Sequence, residues 1–205
     1  MRVKVKICGI TRAVDAQAAV AAGADALGLV FYERSARHLS AVQAAAIVGE
    51  LPPFVARVGV FVNALEPFLR GVAAECGLDT LQLHGDEPPA FCRRLQPWKI
   101  IKAFRIHNRE ALRRLPEYRG MAWLLDSYVP GQMGGSGERF DWDLAGEAAN
   151  LGGKIILAGG LTPENVAEAV RRVRPYAVDV SSGVESAPGK KDPHKIRDFI
   201  QAAQG

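Results

Sequence analysis

Two reactive side chains stand at the ends of apolar segments, where a strand would present them to a ligand. Cys8 closes an alternating stretch that begins at Val3, and Asp126 closes an apolar run that begins at Ala122. A thiolate can remove a proton if its surroundings stabilise it, and a carboxyl group kept protonated by burial can donate one. The pair therefore predicts proton transfer, as in an isomerase or a lyase.

Other roles for these polar residues stay open at this point. Asp126 could instead cap the segment that follows it, and His84 could be the base in place of Cys8. For His84 we favour a hydrogen-bonding role at the end of its strand. Cys76 and Cys92 fall on apolar faces of predicted helices, so we assign both to the core.

Two glycine-bearing strand ends near the C-terminus predict a phosphate site. Residues 154–166 indicate a buried strand, the turn Gly159-Gly160, and a helix with Thr162 as N-cap and Pro163 in its first position. The second segment carries Ser181, Ser182 and Gly183. No lysine or arginine lies between Ile155 and Val166 or between Val178 and Glu185, so we expect backbone N–H groups and serine hydroxyls to hold the anion. With the acid and base, this indicates a sugar-phosphate substrate.

Composition excludes several other classes of protein. The chain has 205 residues, a formal charge of +4 and a pI of about 9.1, with its basic residues scattered, so nucleic acid is not an expected partner. No apolar run is long enough to cross a bilayer, and the first residues lack a signal-peptide core. Three cysteines without CxxC spacing argue against disulfides and zinc. We expect a cytoplasmic protein that does not associate with a membrane and does not bind a metal ion.

Eight apolar segments alternate with helical patterns, which predicts the elements that position these residues. The predicted strands are Val3–Cys8, Ala26–Phe31, Val55–Val62, Thr80–His84, Trp98–Phe104, Ala122–Asp126, Ile155–Ala158 and Ala177–Ser181. The pattern indicates an α/β protein, a single (β/α)8 TIM barrel of parallel strands spanning residues 1–205. An open doubly wound sheet is the alternative, but its GxGxxG segment after strand one is absent.

Local signals mark where individual helices begin. Ser40 with Gln43, and Asn63 with Glu66, read as capping boxes, and residues 109–115 read as a short helix. Residues 128–137 are too long and glycine-rich for a minimal turn and predict a mobile lid.

Five motifs in this order resemble the phosphoribosylanthranilate isomerase family of tryptophan biosynthesis. They are Lys6-Ile7-Cys8-Gly9-Ile10-Thr11, Gln82-Leu83-His84-Gly85, Gly134-Gly135-Ser136-Gly137 with Phe140-Asp141-Trp142, Ala158-Gly159-Gly160-Leu161, and Asp179-Val180-Ser181-Ser182-Gly183-Val184-Glu185. The resemblance covers essentially the whole chain. It departs from the family at Ala36, where proline is common before the arginine.

The resemblance implies an Amadori rearrangement of N-(5′-phosphoribosyl)anthranilate without a cofactor. Asp126 would protonate the furanose ring oxygen, Cys8 would remove the C2′ proton, and Arg37 would hold the anthranilate carboxylate. Further substrate contacts are assigned to Lys6, Gln82, His84 and Asp179, and phosphate contacts to Gly135, Gly159, Gly160, Ser181, Ser182 and Gly183. The partner is thus a small anionic substrate, and a homodimer is left open.

Other phosphate-binding barrels are the main alternatives. A ribulose-phosphate epimerase would want a metal site, which the four histidines do not suggest, and an indoleglycerol-phosphate synthase would want a catalytic lysine and a longer N-terminus. An isomerase that also accepts the histidine-pathway aminoaldose, or a barrel that binds ligand without turnover, would share the same features.

Overall fold

The predicted parallel strands close into a barrel. The computed structural model of the chain describes residues 2–127 and 142–205. The strands are β1 Lys4–Cys8, β2 Ala26–Val30, β3 Ala56–Phe61, β4 Thr80–Leu83, β5 Lys99–Ile106, β6 Ala122–Ser127, β7 Lys154–Leu157 and β8 Ala177–Val180. Each pairs in parallel with the next, and β8 pairs with β1, so the (β/α)8 prediction is confirmed.

Helices follow the strands as the alternation predicts. They are α1 Ala13–Ala22, α2 Ala41–Gly49, α3 Glu66–Glu75, α4 Pro89–Arg94, a 3-10 helix Arg109–Tyr118, α5 Trp142–Ala149, α6 Val166–Val173 and α7 Pro193–Gln204. A short 3-10 turn, Ser182–Val184, and a hairpin of β9 Glu185–Ala187 and β10 Lys190–Lys191 follow β8 and were not predicted. None of the described helices is long and apolar enough to cross a membrane.

Side-chain alternation divides the interior into two layers. Val5 and Ile7 point outward from β1 into the large core between the strands and the helices. Small and branched side chains fill the barrel itself, including Val58, Leu124 and Ile156. Lys6 and Cys8, on the other face of the alternating strand β1, point into the barrel, because helices cover the outward face that carries Val5 and Ile7.

Two helix starts differ from the prediction. The Ser40–Gln43 capping box is present, but Leu65 stands at the N-cap of α3, and Asn63 is in the left-handed region with φ 51°. Helix α6 begins at Val166 rather than at Pro163.

The side chains explain both errors. Asn63 Oδ1 accepts a hydrogen bond from Asp86 N at 2.7 Å, which commits it to the next loop instead of to α3. Asn165 accepts a hydrogen bond from Thr162 N and donates one to Gly160 O, which holds residues 162–165 in a turn.

The predicted helix at 109–115 is a 3-10 helix that continues through Pro116 to Tyr118. The predicted lid at 128–137 lies outside the described residues.

Trp123 on β6 is fixed on all sides. Its indole is buried and its Nε1 donates a hydrogen bond to Tyr118 O at 3.0 Å. A β-carbon added at Gly153 would lie 2.3 Å from Trp123 Cε3. We expect Gly153→Ala to destabilise the protein by about 1–3 kcal/mol, because a ring held this way cannot yield without strain.

Gly146, inside α5, is the matched control because an added β-carbon there meets no atom within 4 Å. Gly146→Ala should stabilise by about 0.5–1 kcal/mol, since alanine loses less backbone entropy in a helix. Urea unfolding of both variants makes the comparison, and equal stability of Gly153→Ala and the parent would contradict the packing argument.

Candidate active site

The carboxyl ends of the strands surround one cavity that collects nearly all of the predicted site residues. Its lining includes Cys8, Arg37, Gln82, His84, Asp126, Gly159, Gly160, Asp179, Ser181, Ser182 and Gly183. Lys6 lies on the same face of β1, two residues below Cys8, and Gly135 lies outside the described residues. Barrel enzymes carry their chemistry at this end, because eight strand ends and their loops converge there.

Cys8 sits beside a buried ion pair. Lys6 Nζ lies 2.8 Å from Asp179 Oδ1, and the register of β1 with β8 places these two residues directly opposite each other. Burial raises the pKa of the Cys8 thiol, while the Lys6 ammonium opposes that rise and Asp179 adds to it. Lys6 keeps its proton despite burial, since Asp179 and Cys8 raise its pKa. The cation that most favours a Cys8 thiolate is therefore Lys6, and Lys191 acts in the same direction to a smaller extent.

Asp126 faces a pair of hydrogen-bonded side chains from β4 and its end. His84 Nε2 lies 3.4 Å from Asp126 Oδ2, and His84 Nδ1 lies 3.1 Å from Gln82 Nε2. With Gln82 donating to Nδ1, the proton of a neutral ring lies on Nε2, which is buried near the carboxyl group but makes no hydrogen bond among the described residues. This geometry matches the favoured role of His84, a hydrogen-bonding histidine at the strand end.

A second buried ion pair holds the loop that carries His84, and sequence reasoning missed it. Lys102 Nζ lies 3.2 Å from Glu87 Oε2 and donates to the carbonyl oxygen of Gly85 at 2.7 Å. Glu87 also accepts hydrogen bonds from the backbone N–H groups of Asn63 and Gly85. Burial lowers the pKa of Lys102, and Glu87 opposes the shift. A lysine inside the apolar run of β5 was the available signal.

Arg37 reaches the cavity from the loop after β2, and Glu185 holds it there. Its Nε and Nη2 donate to the two carboxylate oxygens of Glu185, each at 2.7 Å. The arginine side chain crosses directly over Gly9, where an added β-carbon would lie 2.4 Å from Arg37 Cδ. The glycine after Cys8 is thus required by the path of Arg37. Glu185 was overlooked, although it ends the fifth sequence motif.

The two glycine segments meet, as a phosphate site formed by both of them requires, and we call the turns 159–160 and 181–183 together the phosphate cup. A β-carbon at Gly183 would lie 2.0 Å from Leu161 O, so the turn after β8 packs against the turn after β7. Gly159 and Gly160 both have positive φ, at 80° and 65°. Lys191, also missed, donates from Nζ to Ser181 O at 3.0 Å. The cup therefore has a buried cation at its edge, beyond the backbone groups that the sequence indicated.

The fold and this cavity define the class of protein: a (β/α)8-barrel enzyme with its site at the carboxyl ends of the strands. Comparison with known proteins narrows that class. The family model for N-(5′-phosphoribosyl)anthranilate (PRA) isomerase matches residues 5–202. The N-(5′-phosphoribosyl)anthranilate isomerase of Trichlorobacter lovleyi is 54% identical over 202 residues, covering 98% of each chain.

Solved structures agree. The phosphoribosyl anthranilate isomerase of Thermotoga maritima superimposes with a TM-score of 0.94 at 46% identity, covering 99% of each chain. A structure of phosphoribosyl anthranilate isomerase in complex with reduced 1-(o-carboxyphenylamino)-1-deoxyribulose 5-phosphate gives a TM-score of 0.91 at 46% identity, again over 99% of each chain. The chain belongs to the phosphoribosylanthranilate isomerase family, and it is an isomerase. The epimerase and synthase alternatives are thereby set aside.

The charges around Cys8 can be tested by opposite substitutions in one ion pair. Lys6→Met should raise the pKa of the Cys8 thiol, because it removes the cation that lowers it and leaves Asp179 uncompensated. Asp179→Asn should lower that pKa, because it removes a negative charge near the thiol. It also leaves the Cys8 thiolate as the anion that Lys6 can pair with.

The measurement is ultraviolet thiolate absorbance as a function of pH, taken as the difference from Cys8→Ser in each background. Two variants that shift the pKa in the same direction would show that Lys6 and Asp179 act on the thiol through structure and not through charge.

Proposed function

We propose that the chain converts N-(5′-phosphoribosyl)anthranilate to 1-(2-carboxyphenylamino)-1-deoxyribulose 5-phosphate, an Amadori rearrangement in tryptophan biosynthesis. The observation that carries the proposal is that Cys8 and Asp126 line one cavity together with the two glycine segments. The lining of this cavity includes both glycine turns and Arg37, which suits a ligand that carries more than one anionic group. The relative that binds the reduced ribulose phosphate is similar over 99% of the chain, which adds support.

Asp126 is the general acid in this mechanism. It donates its proton to the furanose ring oxygen, the C1′–O bond breaks, and the nitrogen lone pair forms the protonated imine. His84 Nε2, 3.4 Å from Asp126 Oδ2, is close enough to stabilise the carboxylate that remains. Catalytic hydrogen bonds of this kind commonly tighten only when substrate is bound.

Cys8 is the general base. Its thiolate removes the C2′ proton, and the electrons flow into the protonated imine to give a neutral enolamine. The enolamine then gains a proton at C1′ and loses one from the C2′ hydroxyl, which yields the ketone. The substrate's own nitrogen serves as the electron sink, so the proposal needs no cofactor. Exchange with solvent returns the proton from Cys8 to Asp126.

The two ends of the substrate are bound by different groups in this proposal. Backbone N–H groups of Gly160, Ser182 and Gly183 hold the phosphate, as they can approach it without side-chain obstruction. Arg37 holds the anthranilate carboxylate, a task suited to a planar guanidinium. Lys6, Gln82 and Asp179 complete the lining between them.

Organisation and location belong to the same proposal. We assign residues 1–205 to one domain, since the strands of a single barrel extend from Lys4 to Val180 and α7 packs against α1. A homodimer is supported only by a relative, a dimeric isomerase from Thermotoga maritima, and sedimentation would test it. A cytoplasmic location follows from the reducing environment that its free cysteines suit, and fractionation of the source cells would test it.

The acid and base give the first functional test. Cys8→Ser and Asp126→Asn should each lower kcat by at least about a hundredfold, the usual contribution of a general acid or base, with a much smaller change in KM. Turnover is followed by the loss of anthranilate fluorescence when the phosphoribosyl substrate is supplied.

Cys92→Ser is the control for the cysteine. Burial raises the pKa of Cys92 to about 11, and this residue is a core residue of α4 outside the cavity. It should keep kcat near the parent value. Normal turnover by Cys8→Ser or Asp126→Asn would remove that residue from the mechanism.

The phosphate cup gives the second test. Gly160→Val should raise KM at least about tenfold, because a β-branched side chain would enter the cup. The positive φ of residue 160 would also be strained in the variant, which should lower stability by about 1–3 kcal/mol. KM and the affinity for inorganic phosphate are the measured quantities.

Gly152→Val separates strain from obstruction. Gly152 also has positive φ, 87°, but it lies at the amino-terminal end of β7, on the opposite face of the barrel. It should lose similar stability and keep its KM. If both variants raise KM alike, phosphate is not bound by the segment that contains Gly160.

A further inference from the structure

Three ionised side chains share one buried contact beside the cavity. Glu185 accepts hydrogen bonds from Arg37 Nε and Nη2 and from Lys191 Nζ, the last at 2.9 Å. The side chain of Glu185 is almost completely buried from solvent, and that of Lys191 is completely buried. Two cations against one carboxylate leave the cluster with one excess positive charge. Such a cluster favours an anion at its open side.

The open side is the outer edge of the Arg37 guanidinium. Glu185 occupies the edge formed by Nε and Nη2, so the edge formed by Nη1 and Nη2 is directed elsewhere. Within the described residues Arg37 Nη1 donates no hydrogen bond, and Arg37 lines the same cavity as Asp126 and Gly160. The guanidinium therefore presents a second pair of donors to the cavity, spaced to match a carboxylate.

Lys191, together with Arg37, keeps Glu185 in its charged form. Burial alone would raise the pKa of Glu185, but the hydrogen bonds from Arg37 and Lys191 lower it further than burial raises it. Lys191 also donates to Ser181 O, which ties the cluster to the phosphate cup. The hairpin β9–β10 supplies both Glu185 and Lys191, so it is this hairpin that aims Arg37.

We propose that Glu185, with Lys191 as its second counter-ion, is a positioning residue that presents the free edge of Arg37 to the carboxylate of the substrate. This inference rests on the proposed function, since it assumes that Arg37 binds the anthranilate end. Glu185 makes no contact with substrate in it. Glu185 binds the edge of the guanidinium formed by Nε and Nη2. This contact fixes the orientation of the edge formed by Nη1 and Nη2.

The simplest rival is that Glu185 competes with the substrate for Arg37. The two ideas predict opposite changes in the affinity for a carboxylate ligand when the charge of Glu185 is removed. Removing the charge of a competitor would tighten the binding of any anion, whereas removing the positioning group should weaken the binding of a carboxylate although the site becomes more positive.

The experiment compares two ligands in three variants by calorimetry. The ligands are reduced 1-(o-carboxyphenylamino)-1-deoxyribulose 5-phosphate and its phenylamino counterpart without the carboxylate. The variants are Arg37→Ala, Glu185→Gln and the double substitution. Arg37→Ala should weaken the carboxylate ligand by about 10- to 100-fold, the range for hydrogen bonds to a charged group. Glu185→Gln should weaken it by at least about tenfold.

Two further readouts separate positioning from a general structural role. Both single variants should bind the ligand without the carboxylate within about threefold of the parent, which also shows that they are folded. In the Arg37→Ala background, Glu185→Gln should add less than about threefold, because its effect passes through Arg37. If Glu185→Gln does not fold, Glu185→Asp, which withdraws the carboxylate by one methylene, makes the same comparison.

Asp79→Asn is the matched control. Asp79 receives the same two-point contact from Arg57, but at the amino-terminal end of the barrel, so neither ligand should be affected. Tighter binding, equal losses for both ligands, or additive losses in the double variant would overturn the inference and leave the role of Arg37 intact. If Arg37→Ala does not distinguish the ligands, the role of Arg37 in the proposed function fails, and the inference fails with it.

Discussion

The pairing of β1 with β8 is the constraint on which the site depends. It places Lys6 opposite Asp179 and closes the barrel at the point where the first and last strands meet. Cys8, two residues beyond Lys6, thereby comes beside Ser181 and the cup that follows β8. A shift of one residue in this register would turn Asp179 to the outer face, and Lys6 would be buried without a counter-ion.

Buried charges at the carboxyl end of the barrel determine orientation more than stability. Lys6 with Asp179, Lys102 with Glu87, and Glu185 with Lys191 are withdrawn from solvent, and Arg37, the second partner of Glu185, is partly buried. Desolvation cancels much of the attraction in such pairs, so they add little net free energy of folding. Each fixes one functional element instead: the thiol, the loop that carries His84, and the guanidinium.

The sequence predicted the barrel and most of the cavity because strand alternation is a local property. Lys6 and Cys8 show their inward face in the pattern of β1 alone. Where the prediction failed, a distant or neighbouring side chain decided the outcome: Asn165 holds the turn that displaced the start of α6, and Glu87 binds the backbone of Asn63. The partners of Lys102 and Lys191 could not be read either, since nothing local distinguishes a buried lysine from an exposed one.

The separation of Lys6 from Asp179 by 173 residues has a consequence for synthesis. On the ribosome, β1 emerges before β8, and its lysine meets its counter-ion only after the strands between them have been made. Until then the amino-terminal half of the barrel exposes open strand edges and a cation with no buried partner. Closure is therefore a late event in the life of the nascent chain, and the Cys8 thiol acquires its electrostatic surroundings in the same step that completes the barrel.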